Sequence, residues 1–426
     1  MSMHLPTRLS TIVAILSLHL TGHLTISLPV RATEREHRGV KLLVVQSPIA
    51  PSMTPEAAIV RLFTHTSIEP DWFAPTFLSQ VPISQVQLIL TNLTTQLGRF
   101  QQVVPDAQNF VVVMEKGKIP TQITLNQSGQ IIGLLFQPPR LKVDRLEEVV
   151  RQFQQLPGQV SLLVLEANTR TELATVNPDL PLAVGSTFKL AVLQALQTQV
   201  ETGQQSWRSV VELRPEWKSL PSGLLQNWAD GSLLTIQSLA ALMISISDNT
   251  ATDALIDLVG REAIEAVAPE RNRPFLTTRE AFLLKSPRYE TLYQRYRAGN
   301  LAQRRSLLTE LATLPLPPIS EFTADPSAVD IEWFFTAREL CHLMQRVQNL
   351  PLMSINPGVA SAEAWQRVAF KGGSEPGVLN LTTWVEAKTG KQYCISATWN
   401  HLDDLDDYQF RGIYSTLLQL IKAKTE

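Results

Sequence analysis

The sequence has little cysteine and no excess of charge of either sign. It contains two cysteines in 426 residues, Cys341 and Cys394, and they lack the close spacing of metal ligands. We therefore expect no cysteine-based zinc site. One disulfide is an alternative, but we expect two free thiols in apolar surroundings. With 37 basic and 39 acidic residues, the formal net charge of −2 argues against a nucleic-acid partner, which would require a basic face.

The N-terminal segment lacks charge over a long run. Between Leu9 and Val30, 22 residues pass without an Asp, Glu, Lys or Arg, and Arg8 precedes them. Val30-Arg31-Ala32 places small residues where a signal peptidase cleaves. We therefore expect residues 1–32 to be a cleaved signal peptide and the mature protein to be periplasmic or secreted. The alternative is an uncleaved membrane anchor, because such a run is long enough to span a bilayer.

The length of the chain predicts two domains, because 426 residues exceed one ordinary hydrophobic core. Residues 33–54 have no clear hydrophobic period and are interpreted as a linker. Residues 55–140 are predicted to form a small α+β domain without a catalytic constellation. Its predicted elements are two helices, from Thr54 to about His65 and over Ile83–Leu97, and three strands, Phe110–Met114, Ile119–Leu125 and Ile131–Phe136.

Residues 141–426 are predicted to form a second α+β domain. A helix over 143–155 and two strands come first, a long helical segment follows, and three strands and a helix over 405–422 end the chain. This order is typical of one five-stranded antiparallel sheet flanked by helices. We expect the first and last helices on one face of the sheet and the helical segment on the other.

The first chemical motif lies at the start of an apolar helix. Gly185 permits a sharp turn, Ser186 occupies the first turn of the helix, and Lys189 lies three residues later on the same face. A hydroxyl at a helix N-terminus is close to unpaired backbone N–H groups, which favour an oxyanion. A buried lysine beside it can lose its proton and act as a base.

The second motif, Ser247-Asp248-Asn249, interrupts two apolar helices. The hydroxyl of Ser247 can transfer a proton, and the amide of Asn249 can both donate to and accept from a bound amide. We expect Asp248 to be structural and to bind loop backbone.

Two Lys-x-Gly triplets compete for the third motif. Lys371-Gly372-Gly373 is predicted to end a strand, and the next strand runs back from Gly377 to about Glu386. Lys388-Thr389-Gly390 then lies in a turn at the opposite end of the sheet, roughly 25 Å away at 3.3 Å per residue. We therefore assign Lys371 to the site and interpret Lys388 as an ordinary turn residue.

The order and context of these motifs resemble class A β-lactamases and penicillin-binding proteins, whose signatures are Ser-x-x-Lys, Ser-Asp-Asn and Lys-Thr-Gly. The resemblance covers residues 143–426, and the separation of 61 positions from Ser186 to Ser247 is close to the class A spacing. It also implies the fold of that family. The N-terminal part resembles the small steroid-isomerase-like or cystatin-like domain that precedes such a domain in some serine hydrolases.

The resemblance implies a role for each motif residue. Ser186 would be the acylated nucleophile and Lys189 its general base. Ser247 would pass a proton to the leaving group. The substrate would be bound by Asn249 at an amide, by Lys371 at a carboxylate, and by Gly373 and Ser374 along the strand edge. The backbone N–H groups of Ser186 and Ser374 would form the oxyanion hole.

Two departures from the family pattern concern hydrolysis of the acyl-enzyme and substrate binding. The chain has no Glu-x-x-Leu-Asn pentapeptide, whose glutamate activates the deacylating water in class A enzymes. Glu280 is a candidate substitute, although we expect a charged surface-helix residue. Gly372 stands where the third motif has a hydroxyl, and Ser374 is the candidate replacement.

The sequence thus predicts an exported serine hydrolase, active without a metal or other cofactor, on a β-lactam or a related amide or ester. One alternative is a DD-peptidase or esterase acting on peptidoglycan peptides or esters. Another is a non-catalytic binding protein of the same fold, but such a protein has no need for Lys189 and Ser247 together. A membrane partner is expected only if the N-terminal segment is not cleaved.

Overall fold

A computed structural model describes residues 53–322, 329–403 and 405–425. The predicted signal peptide and most of the predicted linker lie outside these residues. The contacts place Thr54 and everything after it in one compact unit. Within the described ranges, no helix is both long and apolar enough to cross a membrane.

The N-terminal part of this unit packs helices against an antiparallel sheet. The described strands of that sheet are ordered β1-β2-β3-β4, with β5 paired to β3. The elements are α1 (Pro55–Thr64), α2 (Pro75–Leu78), α3 (Ile83–Leu97), β1 (Phe100–Asp106), β2 (Asn109–Met114), β3 (Gly117–Leu125), β4 (Ile131–Phe136) and β5 (Arg140–Leu141).

The strand β1 was not predicted from the sequence. Only Val103 of this strand is buried, and Pro105 interrupts its apolar pattern, so neither alternation nor a hydrophobic run marks it. The predicted helices and the other three strands are confirmed, with small shifts at their ends. Thr54 caps α1, since its hydroxyl accepts a hydrogen bond from the Ala57 N–H at 3.1 Å.

The rest of the chain alternates a few strands with many short helices. The elements up to the middle of the chain are α4 (Leu146–Gln154), β6 (Gln159–Glu166), β7 (Thr171–Val176), β8 (Leu182–Ala183), α5 (Lys189–Glu201), β9 (Val210–Glu212), β10 (Leu233–Thr235), α6 (Ile236–Ser245) and α7 (Asn249–Val259). They are followed by α8 (Arg261–Glu265), α9 (Thr278–Lys285), α10 (Glu290–Ala298), α11 (Leu301–Leu311), β11 (Phe334–Phe335), α12 (Ala337–Val347), β12 (Arg367–Glu375), β13 (Val378–Glu386), β14 (Gln392–Asn400) and α13 (Asp407–Ala423).

The predicted five-stranded antiparallel sheet is confirmed, with the order β12-β13-β14-β6-β7. Side chains alternate between its two faces, and each face has its own apolar core. Val368 and Phe370 pack with α4 and α13 on one face, whereas Ala369 and Trp384 pack with the helical segment on the other. The first and last helices therefore share a face, as expected.

The C-terminal helix α13 also contacts the N-terminal part. The Leu141 N–H of β5 donates to Thr416 Oγ1 at 2.8 Å, and Gln96 of α3 donates to Asp406 at 2.9 Å. A Cβ atom at Gly412 would lie 3.1 Å from the Pro139 ring, so glycine permits a close approach here. The helix that packs on one face of the five-stranded sheet thus also contacts the N-terminal part.

The expectation of two free thiols is wrong. Cys341 of α12 and Cys394 of β14 form a disulfide, with their Cα atoms 5.8 Å apart. Both are buried where α12 packs on the sheet. Their separation of 53 residues concealed this contact, because only the tertiary packing of the helix on the strand brings them together.

Removing this disulfide should destabilise the protein. A disulfide restricts the conformational entropy of the unfolded chain. For a closed loop of 53 residues, the loss of this restriction in Cys341→Ala/Cys394→Ala should lower the free energy of unfolding by about 4 kcal/mol. Chemical denaturation followed by circular dichroism measures this change. Wild-type protein in reducing buffer is the control and should show a comparable loss. Equal denaturation midpoints for reduced and oxidised wild type would contradict the prediction.

Candidate active site

The turn that carries Ser186 is pressed against the strand β12. Gly185 adopts φ +48°, and a single 3-10 turn over Gly185–Phe188 leads directly into α5. A Cβ atom at Gly373 would lie 2.7 Å from the Ser186 nitrogen, and one at Gly185 would lie 3.1 Å from the Ser374 nitrogen. Glycine at both positions therefore lets the Ser186 turn and the strand β12 approach each other closely. The backbone nitrogens of Ser186 and Ser374 lie on either side of this approach.

The other side of this turn is held by β11 and the residue before it. The Val184 N–H donates to the Trp333 carbonyl at 3.1 Å, and the Phe188 ring stacks on the Trp333 indole with centroids 3.7 Å apart. These contacts fix the start of α5, and with it the direction of the Ser186 and Lys189 side chains.

The amino group of Lys189 is completely buried beside the Ser186 hydroxyl. Its Nζ lies 3.1 Å from Ser186 Oγ, 2.6 Å from the Ser247 carbonyl oxygen and 2.7 Å from Asn249 Oδ1. Burial lowers the pKa of Lys189 to about 7, although more distant carboxylates oppose this shift. A substantial fraction of neutral amine is therefore present at neutral pH, and it can accept the proton of Ser186.

Ser247 connects the two lysines of the site. It has a positive φ of +57°, an uncommon conformation for serine, between α6 and α7. In this conformation its carbonyl accepts from Lys189 and its hydroxyl accepts from Lys371. The hydroxyl of Ser222 also donates to the Ser247 carbonyl, at 2.8 Å.

The structural role expected for Asp248 is confirmed. Its Oδ1 accepts from the Ala251 N–H at 2.8 Å and so caps α7. Its Oδ2 accepts from the backbone N–H groups of Leu224 and Leu225 at 2.6 Å and 3.0 Å. The buried carboxylate therefore joins the break between α6 and α7 to the loop that carries Ser222.

Asn249 contacts protein groups at both ends of its amide. Oδ1 accepts from Lys189, and Nδ2 donates to the Leu220 carbonyl at 3.0 Å. The residue thus orients Lys189, a contact that was not predicted because the two residues are 60 positions apart in the sequence. Binding of a substrate amide by Asn249 stays a prediction.

Lys371 lies on the site side of β12. Its Nζ donates to the Ser247 hydroxyl and to the Gly372 carbonyl, the latter at 2.6 Å. The side chain is buried, and both burial and the nearby charge of Lys189 hold the pKa of Lys371 well below its ordinary value. Lys388 follows β13 in the turn beyond Glu386, which pairs with Arg367, so it is Lys371 and not Lys388 that contacts Ser247. Substrate binding by Lys371 stays a prediction.

β12 is longer than predicted, because it continues to Glu375 and pairs Gly373 with Asn380. Gly373 is buried and its backbone borders the Ser186 turn. Ser374 is exposed on this edge strand.

The expectation of a surface position for Glu280 is wrong. This side chain is buried and forms two hydrogen bonds to the Arg261 guanidinium, at 2.8 Å and 3.0 Å. It also accepts from the Thr277 N–H at 2.8 Å in a capping box that begins α9. Both carboxylate oxygens of this buried side chain are engaged by structural partners, so Glu280 is not available as a base.

A buried charge cluster beside the site was missed in the sequence. Lys285 of α9 contacts the carboxylates of both Glu332 and Glu375. Burial alone would raise the pKa of Glu375, but the Lys285 charge and hydrogen bonds from Glu332 and Lys285 outweigh it and lower the pKa. Burial and the Glu375 charge raise the pKa of Glu332. Side chains two or four residues apart on a strand share a face, so the sequence could have indicated that Glu375 lies on the same face as Lys371.

Comparison with known proteins places this geometry in a family. The model of the beta-lactamase enzyme family matches residues 142–417. The chain belongs to the beta-lactamase enzyme family. This match covers the five-stranded sheet and all the motif residues, so the expected fold and the resemblance to serine β-lactamases and penicillin-binding proteins are confirmed. The family is one of hydrolases of the serine β-lactamase type.

Solved structures with similarity to this beta-lactamase family member have low sequence identity. A beta-lactamase from Sphaerobacter thermophilus is 22% identical, with 66% of this chain and 96% of that chain covered and a TM-score of 0.46. PBP-A is 18% identical, with 65% and 95% covered and a TM-score of 0.44. A point mutant of PBP-A, solved as an acyl-enzyme complex with penicillin G, is 19% identical, with 66% and 98% covered and a TM-score of 0.44. The comparison with curated proteins found no significant match.

The pKa of Lys189 predicts how the reactivity of Ser186 depends on pH. Only the neutral amine can accept the Ser186 proton, so modification by an active ester should accelerate as pH rises through about 7 and then level off. Intact-protein mass spectrometry at several pH values measures the rate. Lys189→Arg should be unreactive throughout, since its guanidinium keeps its proton.

The matched control is Lys388→Met, in the turn at the far end of the sheet, and it should keep the wild-type profile. The pH range from about 5.5 to 8.5 brackets the lowered pKa of Lys189. If the modification rate of wild type is constant over this range, neutral Lys189 is not the base that activates Ser186.

Asp248 should contribute to stability. Asp248→Ala removes three hydrogen bonds to buried backbone donors and should lower the free energy of unfolding by about 3 kcal/mol. Chemical denaturation measures the change. Asp144→Ala, at an exposed position, is the control and should stay within about 0.5 kcal/mol of wild type. An equally small change for Asp248→Ala would show that these contacts are not made.

Proposed function

We propose that this protein is an exported serine hydrolase that forms an acyl-enzyme at Ser186 and hydrolyses a β-lactam or a related amide or ester. The observation that supports it most is the buried Lys189 amino group, 3.1 Å from Ser186 Oγ and with its pKa lowered to about 7. A serine hydroxyl is a weak nucleophile unless an adjacent base accepts its proton. Lys189 is placed to be that base.

The acylation step follows from these contacts. Lys189 takes the proton of Ser186 Oγ as this oxygen attacks the substrate carbonyl. The negative charge that develops on the carbonyl oxygen is stabilised by the backbone N–H groups of Ser186 and Ser374, and such preorganised donors contribute several kcal/mol. The proton reaches the leaving nitrogen or oxygen through the Ser247 hydroxyl, which contacts Lys371.

Substrate binding is assigned to β12 and the α7 start. Lys371 attracts a substrate carboxylate, while Gly373 and the exposed Ser374 border the bound ligand. Gly372 supplies no hydroxyl, so Ser374 takes that role on the same strand. Asn249 binds a substrate amide through the second hydrogen of its Nδ2, because Leu220 occupies the first.

A periplasmic or secreted location is supported by two features. The N-terminal sequence has the pattern of a signal peptide, and Cys341 and Cys394 form a disulfide, which persists in oxidising compartments. The DD-peptidase or esterase alternative is favoured by one observation. Glu280, the substitute considered for the missing class A glutamate, is bound by Arg261 and cannot activate water. Such an enzyme would release its acyl group slowly.

Intact-protein mass spectrometry tests the proposed acyl-enzyme. Mature protein incubated with penicillin G or a cephalosporin should gain the mass of one antibiotic molecule, or should consume the antibiotic. Ser186→Ala should do neither, because it lacks the nucleophile. Ser128→Ala, in an exposed turn of the N-terminal part, is the matched control and should behave as wild type.

A persistent adduct would favour a penicillin-binding or peptidase role, and a transient adduct with antibiotic consumption would favour a β-lactamase. If wild type forms no adduct and consumes no antibiotic, and p-nitrophenyl esters also fail to react, the proposal is wrong.

A further inference from the structure

Glu375 lies on the site side of the strand that carries Lys371. Ala369 of β12 packs with the helical segment, whereas Val368 and Phe370 pack on the opposite face. The alternation along this regular strand places Lys371, Gly373 and Glu375 on the face of Ala369. Glu375 is two residues, or about 7 Å, beyond Gly373, whose backbone touches the Ser186 turn.

The carboxylate of Glu375 is held in place by a buried cation that also fixes the nucleophile turn. Lys285 contacts both Glu375 and Glu332. Glu332 immediately precedes Trp333, whose carbonyl accepts from Val184 and whose indole stacks on Phe188. One charge cluster therefore joins the end of β12 to the turn that carries Ser186.

Water can reach Glu375 but not its partner. The Glu375 side chain is 27% exposed, whereas that of Glu332 is 1% exposed. Burial favours the neutral form of Glu375, but the charge of Lys285 and the hydrogen bonds from Glu332 and Lys285 outweigh burial and lower the pKa of Glu375. The carboxylate is therefore ionised at neutral pH. An ionised carboxylate on a partly exposed side chain can accept a proton from water.

The two other carboxylates whose charges act on Lys189 have their oxygens engaged. Asp248, Asp253 and Glu375 are the carboxylates whose charges act on the pKa of Lys189. Asp248 binds loop backbone, as described above. Asp253 accepts from the Thr278 N–H at 2.7 Å and from the Arg279 N–H at 2.8 Å at the start of α9, and it is buried. Glu375 is thus the one of these three that is open to solvent.

We propose that Glu375 is the general base that activates the water for hydrolysis of the Ser186 acyl-enzyme. This inference rests on the proposed function. The water oxygen forms a bond to the acyl carbonyl carbon while one of its protons passes to the Glu375 carboxylate. The bond between that carbon and Ser186 Oγ then breaks, and one proton returns from Glu375 through Lys189 to Oγ. The products are a free carboxylic acid and the Ser186 hydroxyl.

Lys285 and Glu332 are positioning residues in this scheme. Lys285 keeps Glu375 ionised and directed along the strand, and Glu332 links Lys285 to the β11 side of the nucleophile turn. Neither needs to touch the acyl group or the water.

The test separates acylation from deacylation in Glu375→Gln. Stopped-flow absorbance and time-resolved intact-protein mass spectrometry follow penicillin G and, in parallel, a p-nitrophenyl ester. We expect acylation of Ser186 within about threefold of wild type and deacylation slowed by about 100-fold or more, because general base catalysis contributes that much. The variant should therefore accumulate an adduct that wild type releases. Glu375→Asp should recover part of the deacylation rate.

The control is Glu386→Gln, which removes a comparable ion pair with Arg367 at the far end of the sheet and should deacylate as wild type does. If Glu375→Gln is poorly folded, Glu375→Gln/Lys285→Met removes both members of this ion pair together and should show the same accumulation. If these Glu375 variants deacylate at the wild-type rate, the inference is overturned. It is also overturned if wild type is acylated but does not release the adduct. If wild type is neither acylated nor active, the proposed function fails, and the inference is withdrawn with it.

Discussion

The burial of one amino group among neutral oxygens is the constraint on which the site depends. Lys189 Nζ has three hydrogen-bond partners, a hydroxyl, a backbone carbonyl and a side-chain amide oxygen, and each is uncharged. Without an adjacent carboxylate, the more distant carboxylates compensate the desolvation of an ammonium ion only in part, so the neutral amine gains population. The positive φ of Ser247 and the close approach of Gly373 are the local conditions that bring those oxygens and the Ser186 turn together.

Three buried lysines show how their surroundings decide their chemistry. Lys285 contacts two carboxylates, which outweigh burial and raise its pKa, so it is a permanent cation. Lys189 and Lys371 lack such partners and have lowered pKa values. The same type of side chain is therefore a fixed charge in one place, whereas in another part of the same domain its neutral form is favoured. Residue type alone does not reveal this difference.

Much of the fold and of the site could be predicted because the evidence was local. The periods of the strands, the caps and the spacing from Ser186 to Lys189 are properties of short segments, and the order of the three motifs restricted the sheet topology. The features that were missed all depend on tertiary contacts. The disulfide of Cys341 with Cys394, the burial of Glu280 beside Arg261 and the contact of Lys285 with Glu375 join residues that are distant in sequence, so no local pattern marks them.

The order of strands in the five-stranded sheet has a consequence for folding. β6 precedes the nucleophile turn closely in sequence, yet it pairs with β14 near the end of the chain, where Val164 is opposite Ile395. The turn itself is completed by Gly373 of β12. Such non-local pairings form slowly, because the chain must close large loops before the contacts stabilise them. A chain folded only as far as the helical segment therefore has Ser186 without the contact from Gly373, and the candidate site is assembled only when the C-terminal strands have joined the sheet.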